Sequence, residues 1–411
     1  MVTLLVLVAC GPSADTGKPA GETALPEGPT WYDDVAPILA ANCIECHVDG
    51  GSAPFALDSY EATVAYDQAI VAATAARTMP PYNVDASGAC QTYQDARWLT
   101  DEEIALLAAW VDAGEIEGSG TVPAPPALPT LAETDFTVDI GGDYTPDPTV
   151  EDDYRCFVMD LPVSGRQYIT GYHTDPTWLP EVHHATLYTV LDQGSTDFVR
   201  EMDAADAGLG YDCPRNAGIP AFQVIALWNI GTPPTNFPEG TGIPINADHP
   251  IVVREHYYTG NGTGPDRTQF HFNVETSVEL EASYTPYSNE DISLPPGQTG
   301  LSSSADFLAG NIGDGESMTF WGVAPHTHQL ATEMLVTRNP DAADAGCLEH
   351  SPRWDYHWQQ TFFYGTPVTI AATDTIRVEC TWDTTSVDHT IEFGSDAGDE
   401  MCLVAFYATE G

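Results

Sequence analysis

The pattern of the last two thirds of the chain constrains the fold most. Runs such as Thr186-Leu187-Tyr188-Thr189-Val190, Ile251-Val252-Val253-Arg254-Glu255-His256-Tyr257-Tyr258 and Thr375-Ile376-Arg377-Val378-Glu379-Cys380 are separated by clusters of Gly, Pro, Asn and Asp. Short runs rich in β-branched and aromatic residues, bounded by turn residues, read as strands at β-sandwich spacing. The 35 glycines and 32 prolines agree with turn-rich β structure and against long helices. About 275 residues is large for one sandwich and comfortable for two. Pro286, Pro295 and Pro296 put the boundary soon after residue 280, giving expected domains at 136–280 and 281–411.

The N-terminal third reads differently. Residues 1–10 are almost wholly apolar, and Leu7-Val8-Ala9-Cys10 resembles the lipobox of bacterial lipoprotein signals, whose cysteine becomes the acylated first residue. A segment this short cannot span a bilayer. Residues 11–30, rich in Pro, Gly, Ser, Thr and Glu, read as a flexible tether. The expectation is an exported lipoprotein on the outer membrane or cell surface, facing the periplasm or exterior and held to the membrane by lipid at Cys10.

Residues 31–118 are expected to form a small all-α unit. Asp33 and Asp34 open a helix carrying Val35, Ile38 and Leu39, which runs into Cys43-Ile44-Glu45-Cys46-His47. Cys-x-x-Cys-His is the c-type haem attachment motif, in which two thiols take the vinyl groups and the adjacent histidine reaches the iron. A thioredoxin-like pair or half a zinc site are the rivals. No βαβ pattern surrounds the motif and no second Cys-x-x-Cys follows, which favours haem c. Met79, in Arg77-Thr78-Met79-Pro80-Pro81, is the candidate sixth ligand, one that raises a haem potential and favours electron transfer. A last helix begins at the capping box Thr100-x-x-Glu103 and stops at Gly114. The whole resembles a short class I cytochrome c domain. Pro123, Pro125, Pro126 and Pro129 make residues 119–135 a semi-rigid linker.

Twelve Lys plus Arg against 61 Asp plus Glu give a net charge of −49. Such a chain repels phosphate backbones, so nucleic acid is excluded as a partner.

The chemistry of the β region lies in its histidines. His326 and His328, spaced i, i+2, leave a strand on one face and can meet one metal ion. Adding the thioether of Met401, in Asp399-Glu400-Met401-Cys402, makes a soft site that suits copper cycling through Cu(I). His183 and His184 are adjacent, so an ideal strand points them to opposite faces. Sharing one metal requires a bulge or a strand end there. Each histidine taken singly reads equally well as a satisfied core or surface residue.

Val182-His183-His184, Glu255-His256-Tyr257, Pro325-His326-Thr327-His328 and Asp399-Glu400-Met401-Cys402 occur in the order seen in the copper type II, ascorbate-dependent monooxygenases. Leu227-Trp228-Asn229, Pro233-Pro234 and Phe237-Pro238-Glu239-Gly240 are also similar to that family's segment between its first two ligand motifs. The resemblance implies two all-β jelly-roll sandwiches following the cytochrome-like unit. The first is expected to hold an electron-transfer copper on His183, His184 and His256. The second is expected to hold the oxygen-binding copper on His326, His328 and Met401, the catalytic site. It also implies disulfides Cys156–Cys213 and Cys380–Cys402, leaving Cys90 and Cys347 to pair across domains or stay free. Peptide-amidating members clamp a substrate carboxylate with an arginine, an asparagine and a tyrosine where this chain has Ala324, Leu403 and Ala405. Arg254 stands where those members have glutamine.

The function these features imply is hydroxylation of a C–H bond of a small organic substrate with O2. Two copper ions carry the chemistry, with electrons from ascorbate, from an electron-donor protein, or relayed by the haem. The alternative is a non-catalytic haem and copper electron-transfer or copper-binding surface lipoprotein.

Overall fold

The computed structural model describes residues 28–410 except 50, 52, 127–128, 179–181, 312–314, 316 and 395–397. Cys10 and nearly all of the expected tether lie outside these residues. Two β-sandwiches share one sheet. A five-stranded sheet runs in the order Tyr211–Asp212, Asp152–Met159, Ile251–Tyr258, Val182–Val190, Phe222–Asn229. It packs on a nine-stranded sheet whose first members include Gln269–Glu275, Arg166–Asp175 and Thr241–Asn246. The interface is a core of Phe157, Leu187, Ile225, Val253, Phe270 and Phe272. The nine-stranded sheet then continues through Leu280–Ser288 into Cys402–Glu410, Met318–Thr327 and Phe362–Ile370. There it packs on a four-stranded sheet, Thr299–Leu308, Thr375–Asp383, Ala331–Arg338 and Gly346–Ser351, around Phe320, Val336, Val378, Trp382 and Phe406. Leu280–Ser288 pairs in parallel with Thr241–Asn246 and antiparallel with Cys402–Glu410, so the halves meet along hydrogen-bonded strands.

Three disulfides staple the sheets: Cys90–Cys347, Cys156–Cys213 and Cys380–Cys402. Disulfides mark an oxidising compartment and an exported chain. Among the described residues no helix is long and apolar enough to cross a membrane.

The expected small all-α cytochrome c domain over 31–118 is not formed. The chain is mostly sheet, 39% strand against 16% helix, and its helices are short. In this stretch they are Ala36–Asn42, Tyr60–Val64, Asp67–Ala75 and Asp101–Asp112, the first preceded by the turn Trp31–Val35. They gather a modest core of Trp31, Leu39, Leu107 and Trp110. The last helix does open on its capping box, the Thr100 hydroxyl accepting from Glu103 N and the Glu103 carboxylate from Thr100 N. What breaks the unit is the stretch between the helices. Residues 80–97 leave them and lie on the second sandwich, where Tyr82, Val84 and Tyr93 enter its core and Cys90 is bonded to Cys347. A strap held by another domain's apolar surface cannot close a self-contained helical domain.

Candidate metal centre

Two histidine groups face one cleft, each placed by its strand. At the first, the ladder between Val182–Val190 and Ile251–Tyr258 shifts register between Val182 and His184. The extra residue turns His183 and His184 to the same side, the bulge that adjacent ligands need. His256 pairs directly with His184. The ligand atoms of all three lie within 4.8 Å of one another. His184 Nδ1 lies 3.2 Å from His183 Nδ1 and 3.3 Å from His256 Nδ1. Two imidazole nitrogens about 2.0 Å from a shared ion at the tetrahedral angle stand about 3.3 Å apart, so this spacing fits one metal. His256 Nε2 donates to Asp152 Oδ1 at 2.7 Å, which leaves Nδ1 with its lone pair in the cradle. The same bond holds the Asp152 carboxyl below its ordinary range.

Burial, followed by neighbouring histidines, pushes the His183 imidazole down to about 4 and His184 well below its ordinary value. Burial lowers His256 too, against the pull of Asp152. The rings are therefore neutral at pH 7, the form that ligates metal.

The second group sits at the end of Met318–Thr327. The last ladder pair with the neighbouring strand is Thr327 with Cys402, and one step further lie His328 and Met401. The His326 and His328 rings are 5.4 Å apart. His326 Nδ1 donates to Gln359 Oε1 at 2.5 Å, and His328 Nδ1 donates to the Asp399 carbonyl at 2.9 Å. Both bonds fix the ring and leave Nε2 free to ligate. Burial and then the charge of His328 push His326 down to about 3. His328 and Met401 are both buried. Beneath them, the Glu400 carboxylate accepts from Thr327 Oγ1 at 3.0 Å, His328 N at 3.0 Å, Leu330 N at 2.7 Å and Trp382 Nε1 at 3.1 Å. One acid thus ties the His-x-His strand to the methionine strand, which Cys380–Cys402 also anchors.

Between the groups lies a cavity of about 580 Å³, lined by His184 on one wall and His326, His328 and Met401 on the other. Ala324, Leu403 and Ala405 line it as well, so no cation or amide stands at those three positions. The loop after Gly346–Ser351 reaches both groups, Tyr356 stacking on His183 at 5.4 Å while Gln359 holds His326. Asp152, Gln359 and Tyr356 escape sequence reasoning because nothing local marks them. Glu400 carried a signal, standing next to the candidate methionine in the quoted motif.

The N-terminal candidates are elsewhere. Cys43 and Cys46 are unpaired thiols, and His47 Nδ1 donates to the Phe55 carbonyl at 3.0 Å. Met79 is 39% exposed, beside Pro80.

Two joined sandwiches thus bring imidazole and thioether donors, groups able to hold a redox metal, to one shared cleft. Residues 305–409 match the model of the copper type II ascorbate-dependent monooxygenase C-terminal domain. Tyramine beta-hydroxylase of Caenorhabditis briggsae is 22% identical over 336 residues, 76% of this chain and 54% of that protein. Both findings support the copper type II monooxygenase family, and the chain spans about half the length of that relative. Among solved structures, a beta-porphyranase from Bacteroides plebeius is 12% identical, covering 62% of this chain and 37% of the other, with a TM-score of 0.18. An infectious bursal disease virus structure is 8% identical over 69% of this chain and 74% of its own, with a TM-score of 0.16. Likenesses at those scores carry no argument.

Proposed function

We propose that the chain is a copper-dependent monooxygenase that hydroxylates a C–H bond of a small organic substrate in the cleft. The observation that supports this reading is one cavity lined by His184 of the three-histidine cluster and, across from it, by His326, His328 and Met401. His183, His184 and His256 would hold the electron-transfer copper; His326, His328 and Met401 would hold the oxygen-binding one. The donors fit: imidazoles alone suit several metals, and a thioether selects copper that visits Cu(I). Bound copper supplies dioxygen activation and one-electron transfer. The protein's own contribution is positional. Gln359 and Asp399 aim the imidazoles, and Glu400 fixes the strand pair. Two electrons and two protons balance the conversion of substrate and O2 to alcohol and water, with ascorbate as the family's reductant.

The test is product mass under ¹⁸O2 with copper added or withheld. Incorporation of one labelled oxygen that vanishes in Met401→Ala is expected; copper-independent product, or undiminished product in that variant, refutes the ligand assignment.

A second cofactor is favoured by one observation. The other six described cysteines are all disulfide-bonded, yet Cys43 and Cys46 are not. Burial and then Cys46 push the Cys43 thiol up to about 12, opposite to a redox-active thiolate pair. We infer that the two thiols take haem c, with His47 Nε2 as ligand and Met79 as the candidate second. It would supply single electrons to the copper sites. A pyridine haemochrome spectrum tests it; colourless protein with a Cys43–Cys46 disulfide overturns it. Lipid on Cys10 is tested by the mass of the mature N-terminus.

A further inference from the structure

We propose that Arg254 anchors a negatively charged group of the substrate, so that the cleft takes a small organic anion with an apolar body. The proposal rests on reading the cleft as the substrate site, and it begins with how this chain spends its few cations. Of 12 Lys and Arg, ten arginines have described side chains, and eight of those pair with a carboxylate. The two without such a pair are Arg254 and Arg353. Arg353 lies outside the cavity, over the Trp98 ring.

Arg254 shares its strand face with His256, two residues on, and opposes Thr186 of the strand bearing His183 and His184. It lines the cavity, its guanidinium 4.1 Å over the Tyr154 ring, and its Nε is buried without a hydrogen-bond partner. His184 on one wall and His326 on the other line the same cavity as this guanidinium. A half-buried guanidinium that faces the cavity with a free N–H can form charge-assisted bonds to a carboxylate or phosphate oxygen placed there. Although the chain has 61 acidic residues, none of the described ones forms an ion pair with this arginine, which leaves the complementary charge to the ligand. Tyr188, Phe222, Val224 and Tyr284 supply the apolar lining. Glu290, the acid that also lines the cavity, is exposed to solvent and does not compensate Arg254.

The test is calorimetric titration of the full chain, metal-free and copper-loaded, with phenylacetate, phenyl phosphate and phenethylamine. The anions should bind at least tenfold more tightly than the amine, and preference between them names the carboxylate or phosphate source. Arg254→Gln should weaken anion binding about 10- to 100-fold, with Arg254→Lys between. Copper content, measured in parallel, should stay at wild-type level in Arg254→Gln. Equal or better binding of the amine, no binding of any probe at millimolar concentration, or unchanged anion binding in Arg254→Gln overturns the anchor. The wild-type comparison decides even if a variant misfolds. Anion binding in a wild type that takes up no copper keeps the anchor and removes the monooxygenase reading.

Discussion

Glu400→Gln isolates the contribution of one buried acid to the His326, His328 and Met401 group. The carboxylate receives four donors, three on Oε2 and one on Oε1. The amide can keep its oxygen toward Thr327, His328 and Trp382, but then its NH2 faces Leu330 N. That donor loses its partner, which costs about 1–3 kcal/mol. Three charge-assisted bonds become neutral ones, each weaker by about 1 kcal/mol. Relief of the buried charge offsets part of this. The net is a loss of about 3 kcal/mol, large beside a domain stability of about 5–15 kcal/mol. Urea unfolding followed by tryptophan fluorescence measures it, since Trp382 is itself a donor to the acid. Because the acid that holds His328 N is itself the residue before Met401, affinity at the His326, His328 and Met401 site should fall too, while the three-histidine site is unchanged. A stability loss under about 1 kcal/mol with both copper equivalents bound normally would refute the clamp.

Asp152→Ala removes the acceptor that fixes the His256 tautomer, so one copper equivalent should bind about 10- to 100-fold more weakly in a chelator competition, the other as before. The metal-free protein should be most stable near pH 6.5. Its depressed imidazoles, His183 at about 4 and His326 at about 3, make the unfolded chain the better proton acceptor below that pH, so stability falls as pH drops. Glu255 and Glu349, pushed up to about 8 by burial, act oppositely and lower stability as pH rises towards 8. Melting temperatures across pH 4–8 check both limbs, and a flat acid limb in metal-free protein contradicts the neutral cradle. Asn83→Ala breaks three hydrogen bonds to Asp355 and Trp358 and should cost about 2–3 kcal/mol, with faster amide exchange confined to the loop at 353–361. Unchanged exchange there means the strap does not hold the loop.

Legibility followed the range of each interaction. Strands, turns and the His-x-His face are local, set by a period of two, and the shared face of His326 and His328 reads directly from it. The His183–His184 pair was readable only up to a condition, because a bulge depends on the register of a partner strand about 70 residues away. The tethering groups Asp152 and Gln359 act across 104 and 33 residues, with no motif to mark them. The N-terminal error has the same origin. Residues 80–97 lie between sequences with sound helix signals, and their true partner is reached through a disulfide spanning 257 residues. Open pairing of Cys90 and Cys347 was the one sign that this segment belonged elsewhere.

That misplaced segment explains how the cleft is held. The loop at 353–361 lacks regular strand structure, yet it supplies Tyr356 to one histidine group and Gln359 to the other. An irregular loop alone positions side chains poorly, since few backbone bonds oppose its motion. Here Asn83 of the strap donates to the Asp355 and Trp358 carbonyls at 3.0 and 3.1 Å and accepts from Asp355 N. Asn229 of the first sandwich donates to the Gln359 carbonyl. The loop is thus fixed from the N-terminal strap and from the opposite wall of the cleft. Arg97, at the end of the strap, pairs with Glu45 inside the Cys-x-x-Cys-His motif at 2.6 Å. A run of direct contacts therefore joins the N-terminal motif to both histidine groups, and the strap belongs to the architecture of the cleft as much as the sheets do.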